Sequence, residues 1–276
     1  RLSWGVLGPP SPEGGEVAPA GGRRGRGQFP RVALPAFLTL ALVAAACSSG
    51  STTADSAILV SAAASLTDAF AEIEAGFEAA NPGVDVVLNF GGSSILREQI
   101  LEGAPADVFA SADAANMDLV IAGGGAETAQ VFATNQLQIA VPLDNPGGVT
   151  GIFDLADEEL LIGLCATGVP CGDLAAQLFE RAGVIPAVDT FEPNVRALLT
   201  KIESGDLDAG VVYVTDVAAS GAVVGLEVPE DAKVTAGYPI AATSGGANPD
   251  GGAAFVAYGL SAEGQAILAQ HGFGTP

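Results

Sequence analysis

Histidine occurs once in these 276 residues, at position 271, and cysteine three times. A zinc ribbon or a His-rich metal centre needs more ligands than that. Cations are also scarce, with 10 Lys and Arg against 32 Asp and Glu and a formal net charge of −22. A chain this acidic repels phosphate backbones and anionic headgroups, which argues against nucleic acid and against lipid headgroups as partners. No Gly-x-Ser-x-Gly elbow is present, and no second histidine could serve as a base beside a nucleophile. The chain therefore reads as a protein that is not an enzyme and carries no catalytic residues and no cofactor. Apolar residues make up 49% and charged residues only 15%, enough to bury a core and too apolar for disorder. The length fits one or two domains.

The first 46 residues differ from the rest. Residues 1–31 are rich in Gly and Pro and carry Arg1, Arg23, Arg24, Arg26 and Arg31. A 15-residue apolar stretch from Val32 to Ala46 follows, ending in Ala44-Ala45-Ala46-Cys47. A basic flank, a short apolar run and small residues before a cut make a secretory signal, with residues 1–22 as an extension upstream of it. The run is shorter than the roughly 20 residues of a spanning helix, which disfavours a signal-anchor. The small residues before Cys47 resemble a bacterial lipobox, although Ala44 stands where Leu is usual. On that reading Cys47 is lipidated, residues 47–56 form a tether, and the protein is held at the outer face of the cytoplasmic membrane or in the periplasm. Ordinary cleavage near Ala46, releasing a free protein, is the alternative. Beyond residue 46 the chain keeps five basic and 30 acidic side chains, a net of −25, and loses Trp4, its only tryptophan.

Two further cysteines, Cys165 and Cys171, stand six positions apart. In an exported chain such a pair is most simply a disulfide. The rival is a nucleophilic Cys171 served by His271, with nothing local to support it. His271, near the end of the last helix, reads as a surface residue or a C-cap.

From Ala57 onward strand-like and helix-like runs alternate, the pattern of an α/β fold with a largely parallel sheet. Ile58-Leu59-Val60 is a strand, and Ser65 opens a helix with Leu66, Phe70, Ile73 and Phe77 at helical spacing. Val84–Phe90 is a strand that leads through Gly91-Gly92-Ser93 into a helix. Asp107–Ala110, Gln136–Val141, Leu160–Leu164 and Val211–Val214 read as further strands. Helices are expected over Asp173–Ala182, Val195–Glu203 and about Ser261–His271. These lengths suit two lobes, 57–134 with 238–276 and 135–237, better than one large sheet.

Several helix starts share one design: a strand ends, small residues turn the chain, and a helix begins. Ser65 follows three alanines, Ser93 two glycines, Cys171 follows Gly168-Val169-Pro170, and Val195 follows Pro193-Asn194. A helix N-terminus offers unpaired N–H groups and a partial positive charge. Four such ends converging, with the Ser65, Ser93 and Tyr213 hydroxyls, would bind an oxyanion without Lys or Arg. Taken singly, each serine also reads as an N-cap and Tyr213 as a core aromatic.

Together these segments resemble the molybdate-binding proteins of bacterial ABC importers. The matching stretches are Ser61-Ala-Ala-Ala-Ser65-Leu-Thr-Asp-Ala-Phe70, Asn89-Phe-Gly-Gly-Ser93-Ser, Gly103–Asp113 and Gly168-Val-Pro-Cys-Gly172. Asn194–Leu198, Gly210–Asp216, Tyr238-Pro239-Ile240-Ala241 and Gly264–Phe273 complete the set, in order from about Ile58 to the C-terminus. The resemblance implies a two-lobed periplasmic-binding-protein fold of type II, with two crossovers between lobes. It implies a monomer that closes on molybdate or tungstate and delivers it to a membrane permease. By motif match, Ser65 and Ser93 give a hydroxyl and a backbone N–H each, Cys171 and Val195 a backbone N–H, and Tyr213 its hydroxyl. On that resemblance, molybdenum is expected only as the oxyanion, with no direct protein ligand to the metal. Cys171 departs from the family, where Ala is common, yet a backbone donor tolerates that change.

Physical chemistry adds a reason of its own. Molybdate, tungstate and sulfate are deprotonated dianions at neutral pH and suit a site built only of donors. Phosphate keeps a proton and rewards an acceptor carboxylate, and none of the five positions is acidic. Another oxyanion, such as sulfate or thiosulfate, remains the alternative ligand.

Overall fold

The strand β1 (Ala57–Ala63) is buried along most of its length and apolar on both faces, as a strand flanked on each side by parallel neighbours must be. It opens the portion of the chain that the structure, a computed structural model, describes: residues 57–276. The segment read as a signal, Cys47 with its expected lipid, and the expected tether lie outside the described residues. A single turn of 3₁₀ helix, Ala64–Leu66, joins β1 to α1 (Thr67–Ala80). Ala69, Phe70, Ile73 and Phe77 form the buried stripe of α1, spaced as a helix face requires. Phe70 meets Phe132 and Phe255 with ring centroids 5.9 Å apart in each pair, which seats the helix on the sheet.

Strand β2 (Asp85–Gly91) and helix α2 (Ser93–Leu101) follow, then β3 (Val108–Ala110) and α3 (Ala114–Ala122). The long strand β4 (Gln130–Pro142) leads to β5 (Ile162–Cys165), α4 (Pro170–Ala182), β6 (Thr190–Glu192) and α5 (Val195–Glu203). After these come β7 (Ala209–Tyr213), α6 (Val214–Ala219), β8 (Val223–Leu226), β9 (Thr235–Ala242), α7 (Pro249–Gly259) and α8 (Ala262–Gln270). The strands form one sheet in the order β2-β1-β3-β9-β4-β7-β5-β6, with β8 also on β4.

Two parallel groups, β2-β1-β3 and β7-β5-β6, are joined by the antiparallel pair β9 and β4. The first half of β4, through Gln136, pairs with β9, and its second half, from Leu137, pairs with β7 and β8. One strand thus serves both groups. The α/β fold expected from the sequence is what the chain adopts, but the strands run in one continuous mixed sheet, because the antiparallel β9 and β4 bridge the two parallel groups. The structure also alters some boundaries: Ser65 lies in the 3₁₀ turn rather than opening α1, and Val214 begins α6 rather than ending β7.

Cys165 and Cys171 are joined in a disulfide with Cα atoms 5.7 Å apart, which removes the thiol nucleophile considered above. The bridge ties the end of β5 to the first turn of α4 across a loop in which Gly168 has φ +81°, a conformation that favours glycine. Cys165→Ala/Cys171→Ala should lower stability by about 2 kcal/mol through the freer unfolded chain, read as a lower urea midpoint. An unchanged midpoint would show that the bridge adds nothing to folding.

Candidate oxyanion site

The carboxyl ends of five strands meet around one pocket, the usual place for a ligand in an open α/β sheet. β1 delivers Ala63, Ala64 and Ser65, β2 delivers Gly91, Gly92 and Ser93, and the β5–α4 turn delivers Val169, Pro170 and Cys171. Asn194 and Val195 come from the β6–α5 turn, Tyr213 from the end of β7, and Ala112 closes the wall. No charged side chain lines the pocket. All five positions singled out in the sequence, Ser65, Ser93, Cys171, Val195 and Tyr213, are brought together here.

Three α-helices begin at this pocket. Ser93 is the first residue of α2, Cys171 the second of α4 after Pro170, and Val195 the first of α5. The first N–H groups of a helix have no acceptor within it, so each of these starts presents donors. At α5 the Asn194 carboxamide caps only the N–H of Ala197, at 2.9 Å, and leaves the N–H of Val195 to the pocket side. Neither α2 nor α4 carries a side-chain cap, so the reading of Ser93 as an N-cap does not hold. Ser65 caps nothing either.

The hydroxyls have defined partners. Ser93 Oγ accepts the Ala112 N–H at 3.1 Å, which leaves its own proton to be given away. Ser65 Oγ lies 2.9 Å from Tyr238 Oη. Tyr213 is 1% exposed and packs edge-on to Tyr238 at 5.9 Å, yet no described atom meets hydrogen-bond geometry with its hydroxyl. Leaving a buried hydroxyl unsatisfied costs about 1–3 kcal/mol, so it is a donor in want of an acceptor. Burial, with the Tyr238 hydroxyl beside it, holds the Tyr213 phenol well above its ordinary pKa, so it stays protonated.

The cation beside Val195 is engaged elsewhere. Arg196, next to Val195, pairs with Asp68 of α1 and sets its Nε 3.0 Å from Asp216 Oδ1. The Nε contact is one of charge, without good hydrogen-bond direction. Asp216 Oδ2 also accepts the Tyr213 N–H at 3.2 Å, so the carboxylate braces the backbone of the tyrosine that lines the pocket. Burial pushes Asp216 from 3.8 up to about 6, against the pull of Arg196. Gly92 is needed for a different reason: a Cβ there would run into the Pro193 carbonyl oxygen, where the β2–α2 and β6–α5 turns meet.

With this geometry in hand, the chain can be set beside known proteins. Residues 58–274 match the model of the bacterial extracellular solute-binding proteins. The chain belongs to that family. Among relatives of this solute-binding protein, the molybdate-binding protein ModA of Mycobacterium tuberculosis is 39% identical over 229 residues, 82% of this chain and 88% of that one. Two solved structures show the same fold at low identity. The periplasmic molybdate-binding protein of Azotobacter vinelandii has a TM-score of 0.68 at 19% identity, covering 79% of this chain and 99% of that one. The sulfate-binding protein SubI of M. tuberculosis has a TM-score of 0.71 at 16% identity, covering 79% and 86%. Membership places the chain among binding proteins for transport rather than enzymes.

Two outcomes follow for the solute-binding protein. Because the folded pKa of Asp216 is raised, its contribution to stability is fully present below about pH 4 and is lost as pH rises through 6. The stability difference between wild type and Asp216→Asn should therefore grow in favour of wild type by about 2–3 kcal/mol from pH 7 to pH 4. Urea titrations at several pH values would show it, and a constant difference would refute it. Gly92→Ala should hold the two turns apart and weaken anion binding at least ~10-fold, since a carbonyl in a packed turn has little room to retreat. Undiminished affinity would mean that the Gly92–Pro193 contact is dispensable.

Proposed function

We propose that this solute-binding protein captures a tetrahedral oxyanion dianion, molybdate or tungstate, and hands it to an ABC permease. The observation that carries the reading is the Tyr213 hydroxyl: buried, protonated, in hydrogen-bond geometry with no described atom, and on the wall of a pocket that has no charged side chain. Around it stand the Ser65 and Ser93 hydroxyls and the helix-start N–H groups of Cys171 and Val195. Such a set satisfies a ligand that only accepts hydrogen bonds and leaves the proton of hydrogen phosphate without an acceptor. Similarity to ModA supports molybdate, while the shared fold of SubI leaves size as the means of excluding sulfate.

In this reading, residues 57–134 with 238–276 form one lobe and 135–237 the other, with β4 and β9 crossing between them. Arg196 would join the lobes through Asp68 on one side and Asp216 on the other. The protein works as a monomer outside the cytoplasm. The small residues before Cys47 support cleavage there and a lipid anchor at the outer face of the membrane.

Calorimetric titration with molybdate, tungstate, sulfate and phosphate tests the assignment, and calorimetry suits a chain with no tryptophan beyond residue 46. Tight one-to-one binding of molybdate and tungstate, with sulfate far weaker and phosphate silent, is the expected result. Ser65→Ala and Tyr213→Phe should each weaken molybdate by roughly 1.5–3 kcal/mol, the worth of a hydrogen bond to a charged group. Sulfate binding as tight as molybdate would move the function to sulfur uptake. Full affinity in both variants would place the ligand elsewhere.

A further inference from the structure

A line of hydrogen bonds leads from Ser65 into the two strands that join the parallel groups of the sheet. At its far end the N–H of Gln136 donates to Asn135 Oδ1 at 2.9 Å. That contact sets the carboxamide, because only the oxygen can accept, and it leaves Asn135 Nδ2 as the atom facing inward. Nδ2 donates to Thr215 Oγ1 at 2.8 Å and, more weakly, to Tyr238 Oη at 3.4 Å. Tyr238 Oη is thus an acceptor toward Asn135, which leaves its own proton free for Ser65 Oγ, 2.9 Å away. The Tyr213 hydroxyl also lies beside Tyr238 but falls short of hydrogen-bond geometry, whereas Ser65 Oγ meets it. When Tyr238 donates to it, Ser65 Oγ keeps its own proton to offer to the pocket it lines.

We propose that Tyr238 and Asn135 are positioning residues that orient the Ser65 hydroxyl as a donor to the bound anion. The inference rests on the oxyanion reading of the pocket. A serine hydroxyl rotates freely and could present either its proton or its lone pairs, and the difference matters most when the ligand is a dianion that offers only acceptors. Here the choice is made by groups that cannot turn. Tyr238 is wholly buried and held edge-on between Tyr213 at 5.9 Å and Phe273 at 5.5 Å. Asn135 and Thr215 are buried as well. Ser93 reaches the same polarity by a shorter route, through the Ala112 N–H. Each serine is thus turned toward donation by a donor behind it. Tyr238 lies on β9, Asn135 on β4 and Thr215 on α6, so the line also depends on how those three elements sit together.

A double-mutant cycle in molybdate affinity, measured by calorimetry, separates this role from a structural one. The four proteins are wild type, Ser65→Ala, Tyr238→Phe and the pair combined. Tyr238→Phe keeps the packed ring and removes only the hydroxyl. With Ser65 present it should weaken molybdate up to ~10-fold, the scale of one net hydrogen bond. With Ser65→Ala in place it should change affinity little, because nothing remains to orient. Equal weakening in both backgrounds, or none in either, would overturn the proposal. If Tyr238→Phe does not fold, Asn135→Asp replaces it, since a carboxylate there takes the Tyr238 proton away from Ser65. Its added charge repels the anion in both backgrounds, so a loss that is larger with Ser65 present than in the Ser65→Ala background supports the proposal and an equal loss overturns it. A wild type that binds no molybdate would instead bring down the oxyanion reading itself.

Discussion

A dianion approaching a protein with 30 acidic and only five basic side chains beyond residue 46 meets a repulsive field, so any gain has to come at contact. Short-range donors supply it: N–H groups at helix starts and hydroxyls with a proton to give. Helix dipoles fall off within a turn, so the starts must converge within a few ångströms of one another to act together. The fold answers that demand by ending β1, β2, β5, β6 and β7 around one point. Small residues there, Ala63, Ala64, Gly91 and Gly92, let backbones approach that point.

The basic residue that follows Val195 in the chain illustrates the same constraint. Arg196 could have been turned inward as a counter-charge, yet it is committed to Asp68 and Asp216. A guanidinium in the pocket would attract every anion of suitable size, protonated or not. Neutral donors in a buried setting discriminate more finely, because an unmatched proton on the ligand leaves two donors facing each other. The disulfide and the Asp216–Tyr213 contact hold two of the donor-bearing segments in place at the rim of the sheet.

Much of this was legible in the residues. Helix α5 is legible in the residues: Asn194 precedes it, Gly205 follows it, and Val195, Leu198, Leu199 and Ile202 hold helical spacing between. The five pocket positions were found from strand–turn–helix junctions and family motifs alike. Strand β9 was missed as a strand because Gly237 and Pro239 interrupt its pattern, and the first half of β4 because Gln130, Thr134, Asn135 and Gln136 look like loop. These two strands pair with each other, so each one's polar or broken stretch is satisfied by the other, a long-range fact that local patterning cannot carry. The same holds for Tyr238 and Asn135, which act on Ser65 across 173 and 103 positions of chain to and from Tyr238. Sequence placed Tyr238 in a motif, but its hydroxyl acquires a role only when β9 meets β1 through β3.

The central claim is that neutral, permanently protonated donors hold a fully deprotonated anion. Proton exchange on binding tests it most directly. Molybdate should be titrated calorimetrically at pH 8, above the range of Asp216, in buffers of different ionisation enthalpy. The account predicts the same binding enthalpy in every buffer, with no proton taken up or released. Uptake approaching one proton per anion would contradict it, because a titrating group would then be supplying the positive charge.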